Sequence, residues 1–142
     1  MKSAELIAVF AENKIGQMEQ ITRVLADEQI NIRLVTVATS EKFGVVKILV
    51  DQTEQGFRAL KKCGWTVSLV PVLAIEVKDK PGGLHAVADC LVKSGVNIEN
   101  SSGFVANSRA VLLIETHDID AARKALAKGG MPVLSRDDLL AL

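Results

Sequence analysis

The sequence predicts an α+β protein made of two tandem βαββαβ modules, each an antiparallel sheet with helices packed on one face. Three observations predict it: an internal repeat, a regular alternation of strand-like and helix-like runs inside each repeat, and a composition able to bury a core. The repeat is the strongest of the three. Asn13-Lys14-Ile15-Gly16-Gln17-Met18 aligns with Asp79-Lys80-Pro81-Gly82-Gly83-Leu84 at an offset of 66 residues. Without a gap, the same offset carries Leu25 onto Leu91, Asn31-Ile32 onto Asn97-Ile98, Ile48 onto Ile114, Ala59-Leu60 onto Ala125-Leu126 and Val67 onto Val133. Chance identities do not hold one register over such a length, so two structural copies are the best account. They are placed at residues 1–71 and 72–142.

The elements follow in order. Leu6 to Phe10 is a short apolar run bounded by polar residues, hence a strand. From Gly16 to Glu28, Met18, Ile21 and Leu25 fall at helical spacing, and Leu84, Val87, Ala88 and Leu91 repeat that face in the second copy. Gly95 lies just past the second of these helices, where a left-handed stop is needed. Ile30 to Thr39 is rich in β-branched residues and reads as a strand. Ser40 to Gly44 is a turn and Val45 to Val50 the next strand. Thr53 to Cys63 is a helix with Phe57 and Leu60 inward. Its counterpart buries Ile119, Ala122 and Leu126, with Asp118 as N-cap. Thr66 to Val70 closes the copy. Val67 to Val77 then runs into the next copy with no Gly/Ser linker, and Pro71, which cannot donate to a ladder, is expected to mark a kink between two strands.

Composition narrows the function. With 49% hydrophobic and 24% charged residues the chain is globular, not disordered. Up to Pro71 it carries 9 basic and 8 acidic residues, and beyond it 8 and 9. Neither half has the positive field that a nucleic-acid backbone requires. The zero net charge suits self-association, and a homo-oligomer, a dimer, is expected. Cys63 and Cys90 form no disulfide framework and no zinc pattern, and read as reduced, buried side chains of a cytoplasmic protein. The first residues lack the apolar core of a secretory leader, and no apolar run approaches the ~20 residues of a membrane helix. Scattered His85 and His117 complete no metal set, and Gly82-Gly83 has no following Lys-Ser/Thr for a phosphate loop. No nucleophile sits beside a recognisable base, so neither an enzyme nor a cofactor is expected. Asp137-Asp138 reads as a solvated tail or a helix start.

The βαββαβ order in about seventy residues, the loop Asp79-Lys80-Pro81-Gly82-Gly83-Leu84 after the first strand, and Val96-Asn97-Ile98 opening the second strand resemble an ACT domain, repeated once. The resemblance covers essentially the whole chain and implies a ferredoxin-like fold in each copy. It implies further a regulatory, allosteric protein that binds a free amino acid where two ACT modules meet. The ligand would lie between the loop before the first helix of one module and the second strand of its neighbour. That gives Asp79, Lys80, Pro81, Gly82, Gly83, Leu84, Asn97 and Ile98 as ligand-binding residues in the second copy. In the first copy it gives Asn13, Lys14, Ile15, Gly16, Gln17, Met18, Asn31 and Ile32. The first loop departs from the pattern, with Ile15 in place of proline and Gln17 in place of Gly83.

The chemistry of the loop is independent of the resemblance. Gly16 and Gly82 lack a Cβ, so a ligand can approach the backbone. They open helices whose first amides are unpaired and favour an anion such as a carboxylate. Asp79 or Asn13 can accept from an ammonium, and Asn31 and Asn97 offer both a donor and an acceptor. A second reading stands beside each of these. Pro81 and the two glycines are also ordinary helix-start residues, and the two asparagines also suit left-handed turns. Glu99 to Gly103 fits either a strand edge with a bulge at Gly103 or the wall of a pocket. The sequence thus predicts a non-catalytic amino-acid sensor acting on its own association or on an amino-acid metabolic enzyme. The alternative is a subunit that docks on such an enzyme and binds nothing small.

Overall fold

The computed structural model describes residues 3–142; Met1 and Lys2, at the start of the span 1–71 and of the segment read against a leader, lie outside the described residues. The chain runs β1 (Ala4–Glu12), α1 (Gln17–Asp27), β2 (Ile32–Ser40), β3 (Phe43–Val50), α2 (Thr53–Lys62) and β4 (Thr66–Val77). It continues with α3 (Gly83–Lys93), β5 (Asn100–Ala106), β6 (Arg109–Glu115), α4 (Ile119–Lys128), β7 (Val133–Leu134) and α5 (Arg136–Leu140). These elements form two compact units, Glu5–Val70 and Pro71–Leu142, with Ser3 and Ala4 grouped in the second. Both units are α+β with antiparallel sheets.

In the first unit the strand order is β2-β3-β1-β4. The register Ile7↔Ile48 and Val9↔Val46 puts four apolar side chains on one face. Ile21 and Leu25 of α1 and Leu60 of α2 close over that face, and all three are fully buried. Gly56 lets α2 come close: a Cβ there would stand 3.1 Å from Ile7 Cδ1. In the second unit the order is β7-β4-β6-β5. Leu73 and Ile75 pair with Ile114 and Leu112, under Val87 and Leu91 of α3 and Ala122 and Leu126 of α4. Truncating any one of the buried leucines to alanine costs roughly 2–5 kcal/mol.

The first four helices end in the same way. After α1, Ile30 N–H donates to Leu25 O (2.9 Å) and Gln29 N–H to Ala26 O (3.0 Å), with Gln29 left-handed. After α3, Val96 donates to Leu91 O and Gly95 to Val92 O. Trp65 and Gly64 after α2, and Met131 and Gly130 after α4, repeat the pair of bonds. This double bond satisfies carbonyls that the helix end leaves open. It also aims the next residue, Trp65 or Met131, back at the module. Asp118 caps α4, its carboxylate accepting from Ala121 N–H at 3.0 Å.

Several expectations are corrected. Pro71 does not separate two strands: β4 is one strand from Thr66 to Val77, and its pairs with β6 begin only at Leu73, so no ladder bond to β6 is asked of the proline. Gly103 makes no bulge, since β5 pairs with β6 in unbroken register; the irregularity lies in β2, between Ile32 and Leu34. Between α1 and β2 and between α3 and β5 the left-handed residues are Gln29 and Gly95, not Asn31 and Asn97. Asn97 and Ile98 precede β5, which opens at Asn100. Leu84 and Ala88 are exposed, leaving Val87 and Leu91 as the buried face of α3. Cys63, just past the last turn of α2, is exposed rather than buried, while Cys90 is half-buried with Sγ donating to Ala125 O. The short α5 has no counterpart in the first unit. Ser135 and Asp138 form a reciprocal capping box at its start, which settles Asp137-Asp138 as a helix start.

Candidate functional site

In the second unit the chain leaves β4 at Val77 and turns at once, with Lys80 N–H donating to Lys78 O (2.9 Å) and Gly83 N–H to Lys80 O (3.0 Å). Gly82 is left-handed (φ 85°) and caps α3 by backbone alone. A Cβ at Gly82 would meet nothing within 4 Å, so its open side faces free space. At Gly83 a Cβ would fall 2.0 Å from Lys78 O, so that glycine is demanded by the turn itself. The two glycines therefore do different work: Gly83 packs the loop on its strand, and Gly82 keeps the mouth of α3 uncovered.

This loop forms one wall of a cleft of about 750 Å³. Asp79, Lys80, Pro81, Gly82 and Gly83 line it, facing the start of β6 and the segment Gly129 to Pro132 after α4. Charges of both signs ring it: Glu76, Lys78, Asp79, Lys80 and Arg109. Arg109 bonds Glu76 Oε1 through Nη2 (2.5 Å) and Nε (3.2 Å). That hydrogen bond holds the Glu76 carboxyl below the usual carboxylate range and raises Arg109 in turn. Leu84, Asn97 and Ile98 do not line this cleft; Ile98 packs at the edge of the core.

The first unit shares the first of these turn bonds, with Lys14 N–H donating to Glu12 O at 3.0 Å, and has a left-handed Gly16 (φ 94°) before α1. A cleft of about 660 Å³ lies at the matching place. Its lining corresponds, at the 66-residue offset, to that of the second cleft: Phe10 to Glu76, Gln17 to Gly83, Phe43 to Arg109, Gly64 to Gly130 and Trp65 to Met131. Of the predicted residues of this copy only Gln17 lines it, and its Oε1 accepts from Glu12 N–H (3.3 Å). Asn13 is engaged with the β2–β3 turn, its Nδ2 donating to Glu41 O (2.9 Å). Asn31 and Asp51 exchange two bonds, Asn31 N–H to Asp51 Oδ1 (3.0 Å) and Asp51 N–H to Asn31 O (3.1 Å). Met18 and Ile32 pack on the core, Lys14 pairs with Glu12 (3.5 Å), and Ile15 is fully exposed.

Sequence reasoning missed Glu76, Arg109, Phe10, Phe43 and Trp65. The repeat offset held the signal, because it matches the two phenylalanines with the two members of an ion pair. Among the described residues no group of three or more His, Cys, Asp or Glu is placed to hold a metal ion. No helix among them is long and apolar enough to cross a membrane.

A crystal structure of a protein from Bacteroides thetaiotaomicron is similar over 99% of this chain and 97% of its own, at 30% identity and a TM-score of 0.93. The regulatory subunit of aspartate kinase from Thermus thermophilus shares the fold at 15% identity and a TM-score of 0.64, over 91% of this chain and 93% of that one. That from Thermus flavus does so at 14% and 0.58, over 92% and 94%. No curated protein sequence matches. The family model described as "ACT domain pair" matches residues 2–142, in keeping with the duplicated βαββαβ units and their paired glycine turns, and the chain belongs to that family.

Proposed function

We propose that this ACT domain pair is a non-catalytic regulatory protein that binds a free amino acid at the glycine loop of its second module. A neighbouring module's second strand closes the seat. The observation that carries the reading is the open mouth of α3, with left-handed Gly82 at its entrance, set in a cleft ringed by both carboxylates and cations. A zwitterion needs both: backbone amides and Lys80 for its carboxylate, Asp79 for its ammonium. Aspartate kinase regulatory subunits share this fold, which supports a regulatory role here. Binding acts by favouring one state of the protein, its dimer or its complex with an amino-acid metabolic enzyme, over another.

The test is a thermal-shift screen of the protein amino acids, repeated on Gly82→Ala. A ligand at a hundred times its Kd stabilises by about 2.7 kcal/mol, an easily seen rise in Tm. The methyl group has room in the unliganded loop but intrudes on the approach to the amides, so the rise should shrink while the far-UV spectrum stays native. An equal rise in the variant would move the site elsewhere. A docking subunit without a small ligand is the second reading. Val35 and Val37, exposed on β2 at the edge of the sheet, favour it. It gains if no amino acid shifts the Tm and an enzyme co-purifies.

A further inference from the structure

The chain is poor in rings: four Phe, one Trp and no Tyr. Three of these five line one cleft, that of the first module: Phe10 near the end of β1, Phe43 at the start of β3, and Trp65 just before β4. Phe10 faces Val45 and Phe43 faces Glu12 across the β1–β3 ladder. The two phenyl rings are therefore diagonal neighbours, on the face turned away from Ile7 and Val9 and hence away from the core under α1 and α2. Phe10 is 47% and Phe43 67% exposed, while Trp65 is half-buried and packs against the core on the helix-covered side.

The second module shows that the fold does not ask for these rings. At the matching places it carries Glu76, Arg109 and Met131 in a cleft of like size, with the same helix stops. An ion pair thus stands on the same backbone as the two phenylalanines, and a methionine stands in place of Trp65. Two exposed phenyl rings on a surface that the second module builds with an ion pair have their use outside folding. The first cleft is concave, its volume lies within the roughly 300–1,000 Å³ of small-molecule sites, and Thr39, Ser40 and Gln17 supply a few polar atoms beside the apolar walls.

We propose that the first-module cleft binds a small molecule carrying an aromatic ring, with Phe10 and Phe43 in contact with that ring and Trp65 lining the same cleft. Ring-on-ring packing in offset or edge-to-face arrangement is the recognition, and the polar rim orients the remainder. The assignment goes beyond the amino-acid site at Gly82 and stands or falls without it, because it concerns another cleft and is read by another signal.

Trp65 is the sole tryptophan, so its emission reports this cleft alone. L-phenylalanine and phenylpropionate, which do not absorb at the exciting wavelength, are titrated against the full chain, with L-leucine as the ringless control. A saturable change in Trp65 emission with at least one ring-bearing probe, absent with L-leucine, supports the proposal. Phe43→Ala and Phe10→Ala should each weaken that response about tenfold while far-UV circular dichroism stays native. No saturable change with either probe overturns the proposal, as does an equal response to L-leucine or an undiminished response in the Phe10→Ala/Phe43→Ala double variant. So does emission that tracks protein concentration in step with dimer formation in sedimentation, since the rings would then be covered by a second copy.

Discussion

Gly83 and Gly82 are adjacent, and replacing each by alanine should hurt in the order opposite to the usual rule for glycines. Gly82 has the positive φ, so Gly82→Ala carries the cost of a left-handed alanine, roughly 1–2 kcal/mol, less roughly 0.4–1 kcal/mol regained because the unfolded chain is stiffer. Nothing lies within 4 Å of the new methyl group, so the net loss is about 1 kcal/mol. Gly83 has no such backbone, yet its Cβ would stand 2.0 Å from Lys78 O and 3.0 Å from the carbonyl carbon. A carbon rests about 3.3 Å from a carbonyl oxygen, so some 1.3 Å must be found by moving main chain. Lys78 O cannot yield that far and keep its bond from Lys80 N–H, and retreat of Gly83 stretches its own bond to Lys80 O. Overpacking at roughly 1–3 kcal/mol plus a lost hydrogen bond near 1 kcal/mol, less the unfolded-state gain, leaves a loss of about 2–3 kcal/mol. Denaturant unfolding followed by far-UV circular dichroism measures both variants. A Gly83→Ala protein as stable as the parent, or more stable than Gly82→Ala, would refute the idea that contact with Lys78 O dictates glycine there. The first module supplies a comparison: Gln17 carries a Cβ at the matching place, and Gln17→Gly should gain nothing in stability.

Removing the cap of α4 by Asp118→Ala should cost about 1 kcal/mol in the same unfolding assay, and Asp118→Asn, which can still accept from Ala121 N–H, should recover most of it. Glu76 titrates below the usual carboxylate range because Arg109 bonds its ionised form. Its folded value is lower than its unfolded one, so its contribution to stability is complete above the unfolded value and is lost as pH falls through the folded value. Side-chain carboxyl NMR should show the Glu76 titration move up in Arg109→Ala, and an unmoved titration would remove Arg109 as the cause. A thiol reagent should label exposed Cys63 well before Cys90, whose Sγ donates to Ala125 O; the reverse order by mass spectrometry would contradict the packing of α3 on α4.

The repeat made the architecture legible because each copy must satisfy the same main-chain groups at the same places. Ile30 and Val96 close their helices on Leu25 and Leu91, and the turns at Lys14 and Lys80 use the same bond, although the side chains differ. Features that break this equivalence were not legible. Proline at 71 has a φ that a strand accepts, and only the pairing partners decide whether its missing N–H matters; those from β6 begin at Leu73. The helix α5 spans five residues, too few for periodicity, so the sequence left Asp137-Asp138 as either a tail or a helix start. The candidate site divides along the same line. Gly82 and its neighbours are contiguous, and a turn can be read from contiguous residues. Glu76 meets Arg109 across 33 residues of chain, and Phe10, Phe43 and Trp65 line one cleft only because β1, β3 and the end of α2 reach one edge of the module. Such sets are written in pairing register rather than local pattern. In a duplicated chain, however, the 66-residue offset sets the two copies side by side, position against position. Where an ion pair stands opposite two phenylalanines, the backbone has been held constant and the chemistry changed. Positions that differ in this way are where the two modules can be expected to bind different things.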